Sequence, residues 1–364
     1  MKKIEIYEHA INSIFDYTSG DVTSCIIKEY AIKGMYNLLT CLNGIGYNIE
    51  KTKLVALPDF TYSRNDKRYN SNFPYGSIIN IDTEELFIPV EFRPNCCGIT
   101  FLKLSQRHEN LLEIQKRMKT IENLKIGLAK DDLNRGNHFI GVYRENETNS
   151  IYAIIHGSFN FVKEGDKETP GLYIDKTNYW NEKISTFKQD DFSLKYLIGS
   201  SAELYYEAYL QHEEKTKKAR AQIGQYLFPN SEVIFNETHE GFFNKNTIML
   251  GAYIKSIPFW APIMLSAESD LSIVNITNPL SCISQNMYVC PHGGGYKLQH
   301  VKSGKYDLKD KIYTLEFSNH AIMKTDDVRK LIYDYRTNTD DIWTKTHDFG
   351  NIKNKFTTLY NLKL

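Results

Sequence analysis

The feature that most constrains the fold is a change in residue pattern near residue 54. Residues 20–42, "GDVTSCIIKEYAIKGMYNLLTCL", carry apolar side chains at helical spacing. Residues 54–103 instead contain short apolar runs separated by proline and glycine, "KLVALPD", "YGSIINID", "ELFIPVEF" and "GITFLKL". Runs of this length with such punctuation are typical of strands. The sequence therefore predicts a helix followed by a strand-rich region.

The same alternation continues to the end of the chain. Helical spacing predicts helices over 105–130, 199–228 and 326–336, and the second of these has a highly charged middle that we expect to face solvent. Between them, "NHFIGVYR", "SIYAIIHGSF", "IMLGAYIKSI", "APIML" and "LSIVNI" read as strands. No internal repeat, low-complexity tract or flexible linker interrupts them. We therefore predict an α+β fold in one continuous domain, residues 1–364.

Composition excludes several classes of protein. The chain has 41% hydrophobic and 24% charged residues, which is typical of a globular protein. Its formal net charge is zero, so the net charge does not indicate a nucleic-acid partner, and any basic surface must be local. Six cysteines are too few for a disulfide scaffold of this length. Charges interrupt the apolar start "MKKIEIYEHAINSIFDY", and no run of about 18 apolar residues occurs. We expect a cytoplasmic protein without a secretory signal or membrane span.

One short stretch suggests chemistry. In "VCPHGGGYKL", residues 289–298, His292 stands directly before three glycines. Glycine lets a backbone approach a ligand closely and adopt positive φ, so this arrangement suits a nucleophile or a phosphate contact. An ordinary tight turn beside a histidine fits the same letters, and the stretch alone leaves both interpretations open.

Several potential metal ligands occur at the ends of strand-like runs. They are imidazole and thiol side chains: Cys96, Cys97, His138, His156, His239 and His292. Imidazole and thiolate together suit Zn²⁺ or Mn²⁺. There is no Cys-x-x-Cys or His-Glu-x-x-His, and each histidine taken singly also fits a hydrogen-bonded residue at a strand end.

Six stretches in one order resemble the RtcB family of RNA-splicing ligases. "LPDFTYS…NFPYGSIINID" resembles Met-Pro-Asp-Val-His…Gly-Phe-Pro-Ile-Gly, "PNCCGITFLKL" resembles Asp-Ile-Asn-Cys-Gly-Val-Arg-Leu-Leu, and "NHFIGVY" resembles Gly-Gly-Gly-Asn-His-Phe-Leu-Glu. "IIHGSFN" resembles Ile-His-Thr-Gly-Ser-Arg-Gly, "THEGF" stands where the family has His-Asn, and "APIMLSAESDLSIV…CPHGGGY" resembles Pro-Gly-Ser-Met-Gly-Thr-Ala-Ser-Tyr…Cys-His-Gly-Ala-Gly-Arg. They span residues 57–296. The resemblance implies an RtcB-like domain with central β-sheets flanked by helices.

The resemblance also implies a metal centre. Cys97 would be a thiolate that bridges two Mn²⁺ ions, because the charge of the cations depresses the thiol pKa. His138 would bind one ion, and His156 and His239 would bind the other. Mn²⁺ would neutralise charge on the triphosphate of GTP as pyrophosphate leaves.

By the same resemblance, His292 would be the nucleophile that takes GMP from GTP, and Asp59 would fix its tautomer. Asn137 would contact a phosphate, Ser266 would help to hold the guanylate, and the backbone of Gly293 and Gly294 would lie against the nucleotide. Asp59 and Ser266 also fit ordinary structural roles, as a turn residue and a strand-end hydroxyl.

The implied activity is GTP- and Mn²⁺-dependent joining of an RNA 3′-phosphate, or 2′,3′-cyclic phosphate, to a 5′-hydroxyl end through a histidine–GMP intermediate. This would serve RNA repair or tRNA splicing. The family is often monomeric and sometimes assisted by an archease-type activator, so we expect a monomer with RNA as its partner and no membrane partner.

The chain departs from the family pattern around the bridging cysteine. The family's metal-binding aspartate, three residues before Cys97, falls on Pro94, which has no ligating side chain. If Cys96 were the bridge, that position would fall on Arg93. Asn95 or a water is the candidate substitute.

Other family positions are changed as well. Gly141 stands in place of a glutamate, Phe159 in place of an arginine, and Tyr296 in place of the final arginine of the histidine motif. Glu240 follows His239 where the family has asparagine. The family's closing Lys-Gly has no clear match in "TLYNLKL", where Lys363 is a candidate for the lysine. Two alternatives to a divergent ligase follow: a protein that binds nucleotide or RNA ends without ligating them, and a metal-dependent hydrolase.

Overall fold

The structure is a computed structural model that describes residues 2–105, 111–124, 126–128, 132–134, 136–190, 192–266, 269–307, 310–336, 345–346 and 348–363. Helices and antiparallel sheets are both extensive, which confirms the predicted α+β class. Within these ranges, no helix is both long enough and apolar enough to cross a bilayer.

The α-helices are α1 (Lys3–Asn12), α2 (Val22–Gly44), α3 (Asp66–Tyr69), α4 (Leu111–Met118), α5 (Asn160–Glu164) and α6 (Ser200–Leu227). The strands up to α6 are β1 (Ile14–Asp16), β2 (Lys53–Thr61), β3 (Tyr75–Asn80), β4 (Phe87–Pro89), β5 (Gly98–Lys103), β6 (Phe139–Glu145), β7 (Ile151–Gly157), β8 (Ser185–Gln189) and β9 (Phe192–Ile198). The strands after α6 are β10 (Glu232–Thr238), β11 (Glu240–Asn244), β12 (Thr247–Leu250), β13 (Ala252–Lys255), β14 (Phe259–Met264), β15 (Leu271–Ile276), β16 (Tyr288–Pro291), β17 (Tyr296–Leu298), β18 (Val301–Asp307), β19 (Ile312–Phe317), β20 (Ile322–Thr325), β21 (Tyr333–Tyr335) and β22 (Gly350–Leu362).

A five-stranded sheet in the order β1-β2-β3-β12-β11 forms one layer. Strand β1 runs parallel to β2, and the other neighbours are antiparallel. Helix α2 covers this sheet; the side chain of Asp21 caps it by accepting from the backbone N–H of Ser24. Almost every residue of β2 is buried, including the polar Asp59 and Thr61, which is typical of a strand covered on both faces.

A seven-stranded antiparallel sheet in the order β10-β5-β7-β6-β22-β15-β14 forms the second layer. Helix α6 packs against β5, β7 and β10, and its buried residues recur at helical spacing. Because neighbouring strands run in opposite directions, the starts of β5 and β6 lie at the same edge as the ends of β7 and β10. Residues distant in sequence therefore meet at one edge.

Two predicted helices differ from the observed structure. Within 105–130, only α4 and a 3-10 turn at Ile121–Leu124 are helical, and residues 106–110, 125 and 129–130 lie outside the described residues. The helix predicted over 326–336 is wrong: the segment forms a 3-10 turn at Val328–Lys330 and then β21. Strand β21 pairs with β17, and its tyrosines pack on the ring of Tyr296, so tertiary pairing overrides the helical spacing.

The strand predicted for "ELFIPVEF" is shorter than expected. Only Phe87–Pro89 is extended, and a 3-10 turn at Val90–Phe92 follows. Arg93 and Cys96 then adopt positive φ, 50° and 58°, in a tight loop that leads into β5. This loop delivers Cys97 to the sheet edge.

Candidate metal centre and histidine–aspartate pair

Four candidate ligands meet at the shared edge of the seven-stranded sheet. Cys97 stands directly before β5, His138 directly before β6, His156 near the end of β7, and His239 directly after β10. Strand register brings them together, since Gly98 pairs with both Gly157 and Thr238.

Their nitrogen and sulfur atoms converge. The Sγ of Cys97 lies 3.3 Å from Nε2 of His156 and 3.7 Å from Nε2 of His138. The Nε2 atoms of His156 and His239 are 3.4 Å apart. One ligand atom from each of Cys97, His156 and His239 lies within 4.8 Å of the others, and all three residues are buried, so this group could hold a metal ion.

The opposite ring nitrogens are anchored by the surrounding structure. The Nδ1 atoms of His138, His156 and His239 lie 2.6 Å from Asp132 O, 2.9 Å from Asn137 O and 3.2 Å from Tyr253 Oη, respectively. A carbonyl oxygen only accepts, so the first two rings carry their proton on Nδ1 and present the Nε2 lone pair to the cluster. This is the outer-shell arrangement that orients histidine ligands in metal sites.

Burial also selects the neutral form of these rings. It lowers the pKa of His138 from 6.5 to about 4 and lowers the pKa of His156 and His239 well below the usual value. A neutral imidazole is the form that binds a cation. Burial, followed by the charge of Glu240, raises the pKa of the Cys97 thiol to about 12. A nearby cation would reverse that effect by stabilising the thiolate.

The two adjacent cysteines are distinguished by the structure. Cys97 faces the histidines, whereas Cys96 is buried in a hydrophobic cluster, and its carbonyl accepts from Arg220 of α6. Asn95 Oδ1 accepts a hydrogen bond from the backbone N–H of Cys97 at 2.8 Å. That contact shapes the loop, and Pro94 beside it is buried.

His292 and Asp59 form a close pair next to this cluster. His292 Nδ1 lies 2.5 Å from Asp59 Oδ2, and the backbone N–H of Gly293 donates to the same oxygen at 3.0 Å. The Asp59 side chain is fully buried, its Oδ1 has no partner among the described residues, and the His292 side chain is 16% exposed. The ring centroids of His292 and His239 are 5.0 Å apart. The pair therefore directly adjoins the Cys97–His156–His239 cluster, which is called the metal group below because it could hold a metal ion.

The carboxylate explains the orientation of the His292 ring. Because Asp59 accepts at Nδ1, the proton of the neutral ring is on Nδ1 and the lone pair is on Nε2. Asp59 lies in β2 where the register with β3 shifts, so it is a strand residue and not the turn residue that its position after Pro58 also allowed.

Glycines allow this close approach. Gly293 has φ +83°, and a Cβ there would lie 2.2 Å from the carbonyl oxygen of Met264. A Cβ on Gly251, also at φ +83°, would lie 2.7 Å from Cε1 of the His292 ring. The backbone N–H of Gly251 donates to the carbonyl of His239 at 2.8 Å. The backbone of Gly251 therefore contacts both the His292 ring and His239, a residue of the metal group.

The other predicted nucleotide contacts are near these groups. Asn137 is exposed beside His138, and its carbonyl receives the His156 hydrogen bond. A Cβ on Gly294 would lie 3.3 Å from Leu265 O, so the glycine loop packs beside the residue that precedes Ser266. The backbone N–H and carbonyl of Ser266 both bond to the Ser269 hydroxyl.

Four of the changed family positions have structural explanations. Phe159 is fully buried in the core and offers no contact to a phosphate. A Cβ on Gly141 would meet Tyr143 Oη at 2.5 Å, so neighbours fill the space of a larger side chain. Tyr296 packs among other tyrosine rings, and Glu240 faces away from His239 to form a buried ion pair with Arg68.

Lys363 contacts the segment that leads into His138. Its Nζ donates to the carbonyl of Gly136 at 2.9 Å, one residue from Asn137 and two from His138. Strand β22 delivers it there by pairing Leu362 with Ile140. The C-terminal candidate therefore lies at the edge that carries the metal group.

Three contributing residues were not anticipated from sequence. Gly251 and Tyr253 lie in "IMLGAYIKSI", where an isolated glycine within a strand pattern is a known signal of close backbone approach. The third, Arg336, donates to the carbonyls of Pro58 and Phe60, on either side of Asp59. It lies in a segment whose spacing predicted a helix, and no local pattern indicates these contacts.

No family model matches the chain, and the search of curated proteins also found no match. The geometry alone therefore defines a mixed α+β protein with a buried Cys97–His156–His239 group that could hold a metal ion.

Proposed function

We propose that this chain is a GTP- and Mn²⁺-dependent RNA ligase with an RtcB-like fold, which joins 3′-phosphate or 2′,3′-cyclic phosphate ends to 5′-hydroxyl ends. One observation carries the proposal. A histidine–aspartate pair suited to nucleophilic attack adjoins a thiol–imidazole group suited to a metal, with 5.0 Å between the rings of His292 and His239.

The residues of the pair have complementary tasks. Asp59 holds the Nδ1 proton of His292 and leaves the Nε2 lone pair available for attack on the α-phosphorus of GTP. A nitrogen–phosphorus bond then forms as the bond to pyrophosphate breaks. GMP passes from His292 to an RNA 3′-phosphate, and attack by a 5′-hydroxyl joins the ends and releases GMP. Partial exposure of His292 makes it reachable, whereas the metal group is buried.

Four side chains would hold the metal. Cys97, His156 and His239 would hold one ion, and His138, whose Nε2 lies 3.7 Å from Cys97 Sγ, would help to hold a second. When bound, the metal would supply positive charge that stabilises the triphosphate and the thiolate. One thiol and neutral imidazoles also fit Zn²⁺ well, so Zn²⁺ is the competing ion.

The test is transfer of label from α-labelled GTP to the purified protein with Mn²⁺ or Zn²⁺, followed by denaturation. We expect an acid-labile adduct that is absent in His292→Ala and Cys97→Ala. In Asp59→Asn it should form about 10⁴-fold more slowly, the loss known when a carboxylate that fixes a catalytic histidine becomes an amide. Cys96→Ala is the matched control, because its thiol faces the core. Failure to label metal-loaded protein with either ion would refute the proposed function.

A second candidate, a metal-dependent hydrolase, is favoured by one observation. Three protein ligands, here Cys97, His156 and His239, are the number typical of catalytic zinc sites, in which a bound water takes the fourth position. This alternative predicts RNA or nucleotide hydrolysis without GTP and no covalent adduct. A third outcome, in which nucleotide or RNA ends are bound but not joined, predicts affinity that survives His292→Ala.

A further inference from the structure

Arg336 contacts the segments on both sides of the His292–Asp59 pair. Its guanidinium Nη1 donates to Pro58 O at 3.1 Å, and its Nη2 donates to Phe60 O at 2.8 Å. These two carbonyls flank Asp59 in the chain. The Arg336 residue is only 3% exposed.

The same residue also holds the loop that carries His292. The Nε of Arg336 donates to Tyr296 O at 3.3 Å, and its backbone N–H donates to Gly295 O at 3.0 Å. These carbonyls follow the glycines after His292. Arg336 thus links two segments whose reactive residues are 233 positions apart in sequence.

From these contacts we infer that Arg336 is a positioning residue that fixes the spacing of Asp59 and His292. The chemical role of the pair rests on the proposed function, but the effect of Arg336 on the geometry of the pair does not. Removing the guanidinium leaves the β2 segment and the glycine loop without their common donor, so the contact between His292 Nδ1 and Asp59 Oδ2 opens.

Arginine suits this task better than lysine. Its planar group offers five donors in a fixed fork, which can reach three separate carbonyls at once, whereas lysine donates from one point. The buried charge is compensated by Asp21, whose Oδ2 lies 3.2 Å from Nη2, and the hydroxyl of Ser24 accepts from the same nitrogen. Asp21, the N-cap of α2, therefore belongs to the same network of contacts around Arg336.

The test uses a signal that comes from the pair itself. The Nδ1 proton of an imidazole that donates to a carboxylate resonates far downfield in the proton NMR spectrum, and His292→Gln assigns this resonance by removing it. We expect Arg336→Met to lose this resonance or shift it markedly upfield, while near-UV circular dichroism shows that tertiary packing is kept. Arg329→Met is the matched control, because Arg329 is in the same segment and pairs with Asp327 and not with the Asp59 segment.

Arg336→Lys provides a second, gentler variant. It keeps a charge beside Asp21 but loses the fork, so we expect an altered resonance in a folded protein. An unchanged resonance in either folded variant overturns the inference. If Arg336→Met does not fold, the result for Arg336→Lys decides alone.

Label transfer from GTP separates this inference from the proposed function. If the wild-type protein forms an adduct, Arg336→Met should form it about 10²-fold more slowly, the loss associated with a small misplacement of reacting groups. The concentration of GTP giving half the maximal rate should change far less. A wild-type protein that forms no adduct refutes the ligase proposal and leaves the NMR comparison valid. Equal rates of adduct formation in wild type and variant refute the positioning role.

Discussion

Replacing Gly251 with alanine tests the packing of His292 on the backbone beneath it. The added Cβ would lie 2.7 Å from Cε1 and 2.9 Å from Nδ1 of the imidazole, whereas ordinary contact begins at 3.4 Å. The ring must therefore move by about 0.7 Å, or the backbone must yield. Because Nδ1 is also held 2.5 Å from Asp59, either movement strains that hydrogen bond.

Two costs to the free energy of unfolding can be separated. Alanine at φ +83° costs about 1–2 kcal/mol from its backbone conformation alone. Forcing extra volume into a packed site costs about 1–3 kcal/mol more. Gly20→Ala is the matched control for the first cost, since Gly20 has φ +75° and nothing lies within 4 Å of its added Cβ.

Urea unfolding followed by tryptophan fluorescence measures both variants, with buried Trp180 as a reporter. Gly251→Ala should lose about 2–5 kcal/mol, which is clearly more than Gly20→Ala. Formation of the GTP adduct should fall about tenfold to a hundredfold in Gly251→Ala only. Equal losses of stability in the two variants would show that the His292 ring does not rest on Gly251.

Three further predictions concern the buried polar groups. Burial holds the pKa of His138 at about 4 in the folded, metal-free protein, below its usual 6.5, so the unfolded state binds the proton first. His138 alone should therefore remove about 3 kcal/mol of stability as pH drops from 6.5 to 4, and His156 and His239 should add to the loss because burial also lowers their pKa. His138→Gln should remove the His138 share of this pH dependence in urea titrations. Arg68→Met leaves the buried carboxylate of Glu240 without its ion-pair partner, so the free energy of unfolding should fall by about 3–5 kcal/mol. Adding Glu240→Leu removes that buried charge and should recover most of the lost stability, as measured by thermal unfolding. With Co²⁺ as a probe, the thiolate-to-metal absorption should disappear in Cys97→Ala and persist in Cys96→Ala; its survival in Cys97→Ala would exclude this thiol as a ligand.

Local sequence patterns predicted the elements that present the metal group. Alternating and apolar runs placed His138 and His156 at strand ends, and the observed β6 and β7 agree. The convergence of the four ligands depends on the order of antiparallel strands in a sheet, which single-sequence patterns do not contain. The family resemblance assigned the ligand role to Cys97, and in the structure its Sγ lies 3.3 Å from His156 Nε2.

Long-range contacts explain what sequence reasoning missed. The segment 326–336 has helical spacing, but pairing of β21 with β17 and the carbonyls available to Arg336 favour an extended chain. Residues 350–362 are largely polar and gave no strand signal, yet they form β22, because neighbours on both sides supply its hydrogen bonds. In each case tertiary partners determine the structure more than local preference does.

The position of β22 affects how the protein can fold during synthesis. Residues 350–362 insert between β6 and β15, so the seven-stranded sheet is not continuous until this strand arrives. A nascent chain that has emerged only as far as β15 exposes two unpaired strand edges, which are sites for aggregation. Residues up to Leu362 must therefore leave the ribosome before the sheet edge with Cys97 and the histidines belongs to a continuous seven-stranded sheet.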